Sequence, residues 1–193
     1  MEITKLTGKV LCPVVFACFA TFAHADEMNA GKIHFTDTII EPSCEISGDD
    51  GKDNNVPLGT YPTSLFTATG VESTLIPFTI TLTKCPVATD GLPSVQLTFN
   101  GTTVTGDPTL LQVSKITTDG STAATNIGIA VSPSGDSTSL IKFDGSEDQV
   151  SILLPISPGT DVSADFDARY KAFATPVTAG PADADLTVNI LYR

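Results

Sequence analysis

The feature that most constrains this chain is a side-chain period of two, repeated in short runs and broken by turn residues. Ile76, Phe78, Ile80 and Leu82 share one parity, with Pro77, Thr79 and Thr81 between them. Val95, Leu97 and Phe99 repeat the pattern, as does the stretch 126–131. Val150, Ile152, Leu154 and Ile156 share a parity too. In the run 165–172, Phe166, Ala168, Tyr170 and Ala172 oppose Asp165, Asp167, Arg169 and Lys171. Leu186, Val188, Ile190 and Tyr192 end the chain, with Thr187 and Asn189 opposite. Such alternation predicts half-buried strands, apolar side inward and Thr or charge outward. Helical spacing is absent over any useful length, apart from a single turn near 63–69. The expected class is all-β, a sandwich of short antiparallel strands in one domain.

Punctuation falls where such strands need it: Gly91-Leu92-Pro93, Asn100-Gly101, Gly106-Asp107-Pro108, Pro133-Ser134-Gly135, Asp144-Gly145, Pro158-Gly159 and Gly180-Pro181. Asn100-Gly101 reads as a hairpin turn, because Asn-Gly accepts positive φ readily, and with Thr102 it also spells a glycosylation sequon. Residues 49–55 are rich in Asp, Asn and Gly but lack the ligand spacing of a calcium loop, so they read as a turn.

The first 25 residues read differently. Lys5 and Lys9 precede an apolar run over 10–22, and Ala23-His24-Ala25 supplies small residues around a cleavable bond. That is the layout of a secretory signal, with cleavage expected between Ala25 and Asp26. A lipoprotein signal acylated at Cys18 is the competing layout, disfavoured by the bulky Phe16 two residues earlier. Losing the leader removes Lys5, Lys9 and Glu2, leaving eight basic and 21 acidic residues and a charge of −13, against −12 for the whole chain. So few cations exclude phosphate-backbone binding, and nucleic acid is not an expected partner.

The same cleavage removes Cys12, Cys18 and His24. Cys44 and Cys85 remain, and in an oxidising compartment they read as one disulfide, with an unpaired thiol as the alternative. Closing the loop between them, about 41 positions in sequence, would stabilise the fold by roughly 4 kcal/mol in the chain-entropy picture. His34 is the one histidine left, which excludes His-rich metal sites. Neither a nucleophile elbow nor a phosphate-binding glycine motif occurs, so no cofactor and no catalytic residue is expected. Acids such as Asp49-Asp50, Glu147-Asp148, Asp161, Asp165 and Asp167 sit among loop residues and read as solvated charge, leaving a carboxylate-based hydrolase a distant competitor.

The segment 29–37 alternates, with Gly31, Ile33 and Phe35 on one side and His34 on the other. It runs into a further strand pattern over 38–46 with no turn between, so the two cannot form a hairpin. Either this arm lengthens one edge strand or it leaves the domain to pair elsewhere.

Taken in order, Gly31-Lys32-Ile33-His34-Phe35, Ile39-Ile40-Glu41-Pro42-Ser43-Cys44, Val56-Pro57-Leu58-Gly59, the run 78–85 ending at Cys85, Phe166-Asp167-Ala168-Arg169-Tyr170, Gly180 and the stretch 184–192 with its penultimate Tyr192 resemble the pilin subunits of chaperone–usher fimbriae of the type 1 shaft kind. The resemblance implies an incomplete immunoglobulin-like sandwich whose missing last strand leaves an apolar groove. A periplasmic chaperone fills that groove first, and the arm of the next subunit fills it later at an outer-membrane usher. Strand addition of this sort takes affinity from main-chain pairing and specificity from alternate side chains.

On that reading, residues 1–25 are the leader, 26–37 the donor arm and 38–193 the pilin domain. Ile33 and Phe35 plug the neighbour's groove and Gly31 lets the arm lie close. Leu186, Val188, Ile190 and Tyr192 form a groove wall and chaperone contact, and Cys44–Cys85 ties the first strand to the second. Asp183 stands where the family often has an amide. With no lectin domain expected ahead of the arm, a major shaft subunit in a homopolymer at the cell surface, supporting adhesion, is the implied role. A minor or terminating subunit shares the layout. A monomeric binding module is the competing class, though Trp is absent and Tyr numbers three.

Overall fold

The computed structural model describes residues 44–48, 54–114, 116 and 122–193. The leader with its Ala25–Asp26 junction, the arm with Gly31, Ile33, His34 and Phe35, and the acidic turn at 49–53 lie outside the described residues. All described residues fall in one compact unit, Ile40–Arg193.

Among the described residues, nine strands form two antiparallel sheets: β1 (Glu45–Ser47), β2 (Ile76–Thr83), β3 (Ser94–Gly101), β4 (Thr103–Val104), β5 (Asp107–Gln112), β6 (Ile127–Pro133), β7 (Val150–Leu153), β8 (Val162–Ala172) and β9 (Leu186–Tyr192). One sheet runs β1-β2-β8-β6-β5-β4 and the other β7-β3-β9. A single 3-10 turn at Thr63–Leu65 is the helical piece among the described residues. The core lies between the sheets: Ile80 and Leu82 of β2, Phe166 and Ala168 of β8, Ile129 and Val131 of β6, and Val95, Leu97 and Phe99 of β3 are all buried. Their alternate positions on each strand are what period-two patterning dictates. Phe166 joins the layers, stacking on Phe78 at 5.4 Å and meeting Phe99 edge-on at 5.8 Å.

Four expectations need correction. Asn100-Gly101 is not a hairpin turn: both residues lie in β3, where Gly101 pairs with Leu186, and the chain then crosses to the other sheet as β4. Its φ is not positive, and a Cβ there would meet the end of the Leu111 side chain, which would have to move aside. The stretch 127–132 is buried at every residue rather than on one side. Ile156 shares a parity with Ile152 and Leu154 but is 90% exposed, since β7 has ended at Leu153 and the chain turns away at Pro155, whose carbonyl accepts from Ala88 N.

Arg169 is the fourth. It lies on the outward parity of β8, yet it is 1% exposed. Segment 70–73 extends the sheet beside the end of β8, with Glu72 bridged to Lys171, and the loop after β6 folds over the outer face. Beneath that cover Arg169 Nε donates to Glu72 Oε2 at 2.6 Å, Nη1 to Ser132 Oγ at 3.0 Å and Nη2 to the Ser137 carbonyl at 2.6 Å. A buried guanidinium is tolerated when its donors are satisfied and a carboxylate offsets its charge.

Candidate functional site

Among the described residues, β9 pairs with β3 alone, so it is an edge strand of the smaller sheet. Leu186, Val188, Ile190 and Tyr192 all face inward from it, and all four remain half-buried while packing against the core. Their ladder neighbours on β3 differ sharply, Val95 and Leu97 being 0% exposed and Phe99 1%. The difference lies in position within the sheet. Residues on β3 have neighbours on both flanks, β9 on one side and β7 then the segment 143–145 on the other; those on β9 have one.

Across the sandwich, the edge of the larger sheet is β1 followed by β2. Ile46 of β1 and Ile76 and Phe78 of β2 are likewise half-buried against the core. These three are part-buried apolar residues at the edge of the larger sheet, and pattern reading did not single them out as site residues. Alternation marks which residues face inward; it carries no signal for which of them a neighbouring strand fails to cover. One bond shows that the two edges face each other: Cys44 N donates to the Tyr192 hydroxyl at 2.9 Å. Cys44 is joined to Cys85 with a Cα–Cα distance of 4.1 Å, so β1 is stapled to the end of β2.

Exposed apolar strand edges invite pairing with another chain, and natural proteins cover or blunt them. Here the inward face of the edge strand is apolar rather than charged, while its outer face carries exposed Thr187 and Asn189 and a half-buried Leu191. The arrangement suits acceptance of one further strand with alternate apolar side chains.

The fimbrial protein family matches residues 33–193 of this chain. The chain belongs to that family. The fimbrial-like protein SfmA of Escherichia coli K12 is 35% identical over 191 residues, spanning 98% of each chain. The type-1 fimbrial protein subunit of Serratia marcescens is 35% identical over 188 residues, 96% of this chain and 99% of its own. In fold, this fimbrial subunit is similar to the P pilus rod subunit PapA, with a TM-score of 0.59 at 24% identity over 78% of this chain and 99% of that one. It is also similar to a chain of a chaperone–usher pilus rod, with a TM-score of 0.54 at 23% identity over 84% of this chain and 95% of that one. The pilin form of the immunoglobulin-like sandwich, with one disulfide, is thus the fold of this family member.

Three of the acids weighed for chemistry have other partners on the fimbrial subunit. Asp165 accepts from Thr79 Oγ1 at 2.6 Å, Asp148 from Gln96 Nε2 at 2.7 Å, and Glu147 pairs with Arg193. No cluster of metal-ligating residues occurs among the described residues. Asp136 accepts from Ser139 and Thr138, which hold its carboxyl down at about 2. Asp144 is lowered in the same way by Ser146. Burial, then the nearby charge of Asp183, pushes the Tyr170 phenol up. Asp183 itself settles the final turn, exchanging backbone hydrogen bonds with Ser114 at 2.7 and 3.0 Å and accepting from Ile116 N through Oδ2.

Proposed function

We propose that this chain is the major shaft subunit of a chaperone–usher fimbria, a homopolymer built by donor-strand exchange that supports bacterial adhesion. The observation that carries the reading is the one-sided edge strand β9, with four inward apolar side chains left half-buried, together with half-buried Ile46, Ile76 and Phe78 at the edge of the other sheet. Residues 26–37 of the next subunit supply the missing strand. Ile33 and Phe35 enter the cleft, and Gly31 brings the donated backbone close where a side chain would not fit. Before assembly a strand of a periplasmic chaperone covers the same cleft, and an outer-membrane usher exchanges one for the other after the leader is cut between Ala25 and Asp26. The net charge of −13 after cleavage keeps filaments soluble and mutually repelling.

The test is the behaviour of the surface fraction sheared from expressing cells and run in SDS, unheated and after acid–heat treatment. A ladder of this subunit that collapses to one band is the expected result. One monomer band under both conditions overturns strand donation and favours a monomeric binding module.

A further inference from the structure

A two-fold alternation leaves one ambiguity in any added strand. Slipping by one residue turns every plug outward and is excluded, but slipping by two restores the same face and costs only end contacts. A groove that accepts a strand in a unique register therefore needs an end. Among the described residues one side chain is placed to supply it. Tyr192 is the last inward-facing residue of β9, and its hydroxyl accepts from Cys44 N at 2.9 Å on the edge of the other sheet. Packed sheets lie about 10 Å apart, a gap that a phenol and one hydrogen bond can cross. Cys44 cannot drift to widen it, because its side chain is bonded to Cys85, which is 8% exposed.

We infer that the Tyr192–Cys44 bond is the end wall of the groove and fixes the register of the donated strand. At the levels of Leu186, Val188 and Ile190 an inward plug meets half-buried aliphatic side chains. At the level of Tyr192 the ring is held across the cleft by that hydrogen bond, so no plug enters while the bond stands and a two-residue advance is blocked. Tyr192 acts here as a positioning residue, distinct from the aliphatic wall. The inference rests on the strand-donation reading, and its test separates the two.

Filaments of the full-length chain carrying a photoreactive benzophenone side chain in place of His34, on the outward side of the arm, are cross-linked and the attachment sites mapped. Wild type is expected to give one narrow window of cross-links to β9. Tyr192→Phe keeps the ring and loses the hydroxyl. It is expected to show a second window displaced by two residues and Cys44 amide exchange about fivefold faster, as loss of one hydrogen bond implies. Tyr192→Ala is expected to populate the displaced window more heavily. If Tyr192→Ala does not fold, Tyr192→Phe decides. A single unchanged window in Tyr192→Phe overturns the end-wall role while leaving strand donation standing. Wild-type filaments that form without any cross-link to β9 overturn strand donation, and the end wall with it.

Discussion

Val188 sits opposite Phe99 in the β3–β9 ladder, both face the core, and yet Phe99 is 1% exposed while Val188 is half-buried. One ladder step thus separates a finished interior from an unfinished one. Supplying the missing flank should raise stability by the apolar area it covers, about 1.5–3 kcal/mol for each large aliphatic or aromatic plug. A domain comprising residues 38–193 should therefore melt several degrees higher when a peptide of residues 26–37 is added in excess, as followed by circular dichroism. An unchanged melting temperature at saturating peptide would remove the donor role of the arm.

Charge on the plugs should be more damaging than truncation, because Ile46, Ile76, Phe78 and the β9 aliphatics are all apolar. Ile33→Asp and Phe35→Asp should each cut polymer yield more than about tenfold, since an unpaired carboxylate in an apolar site costs several kcal/mol. Capture by the chaperone should persist, because that step uses the cleft of the same subunit and not its arm. Normal filament yield from either variant, measured by electron microscopy, would contradict the assignment of the plugs.

Removing Arg169 should destabilise the sandwich without touching the cleft. Its guanidinium is 2% exposed on the side chain and bonded to Glu72, Ser132 and the Ser137 carbonyl. Arg169→Ala should lower stability to urea by about 3 kcal/mol, from lost packing and polar groups left unpaired. Glu72→Gln leaves an oxygen acceptor for Arg169 but removes the carboxylate that offsets its charge and pairs Lys171 at 3.1 Å, so it should also destabilise, by about 2 kcal/mol. Equal losses in the two variants would show that the ion pair, and not the buried fork of donors, carries the effect.

The Asp136 carboxyl should titrate near 2, against its ordinary 3.8. A folded-state value below the unfolded one means that its stabilisation is fully present above about pH 4 and fades as the pH falls toward 2. Asp136→Ala should therefore lose stability at neutral pH, with the gap to wild type narrowing on acidification. Carboxyl NMR titration of Asp136 giving an unshifted value would break the link to Ser139 and Thr138.

Parity alone located β2, β3, β8 and β9, because each alternates cleanly beside a two-sided environment of core and solvent. It failed where the environment was not two-sided. β6 lies on the alternating stretch 126–131 but is covered on both faces, so its expected outward side is buried, and β5 carries adjacent buried Leu110 and Leu111 and shows no alternation at all. Arg169 misled for the opposite reason: its parity is outward, but a distant loop and Glu72 make the outside an interior. Within the cleft, the β9 wall was legible through likeness to pilins, whereas Ile46, Ile76 and Phe78 needed the topology. Incomplete cover is a property of which strands lie side by side, and no local stretch of residues encodes it.

The Cys44–Cys85 bond also has a mechanical side. Tension entering the domain from residues before Cys44 passes straight to Cys85, so the intervening chain, 41 positions in sequence, carries no load. Were that stretch free to unravel, it would pay out roughly 140 Å at the extended length of a polypeptide. With the bond in place, a pulled subunit cannot lengthen through its first half. Any give must come from beyond Cys85, or from parting of one subunit from the next.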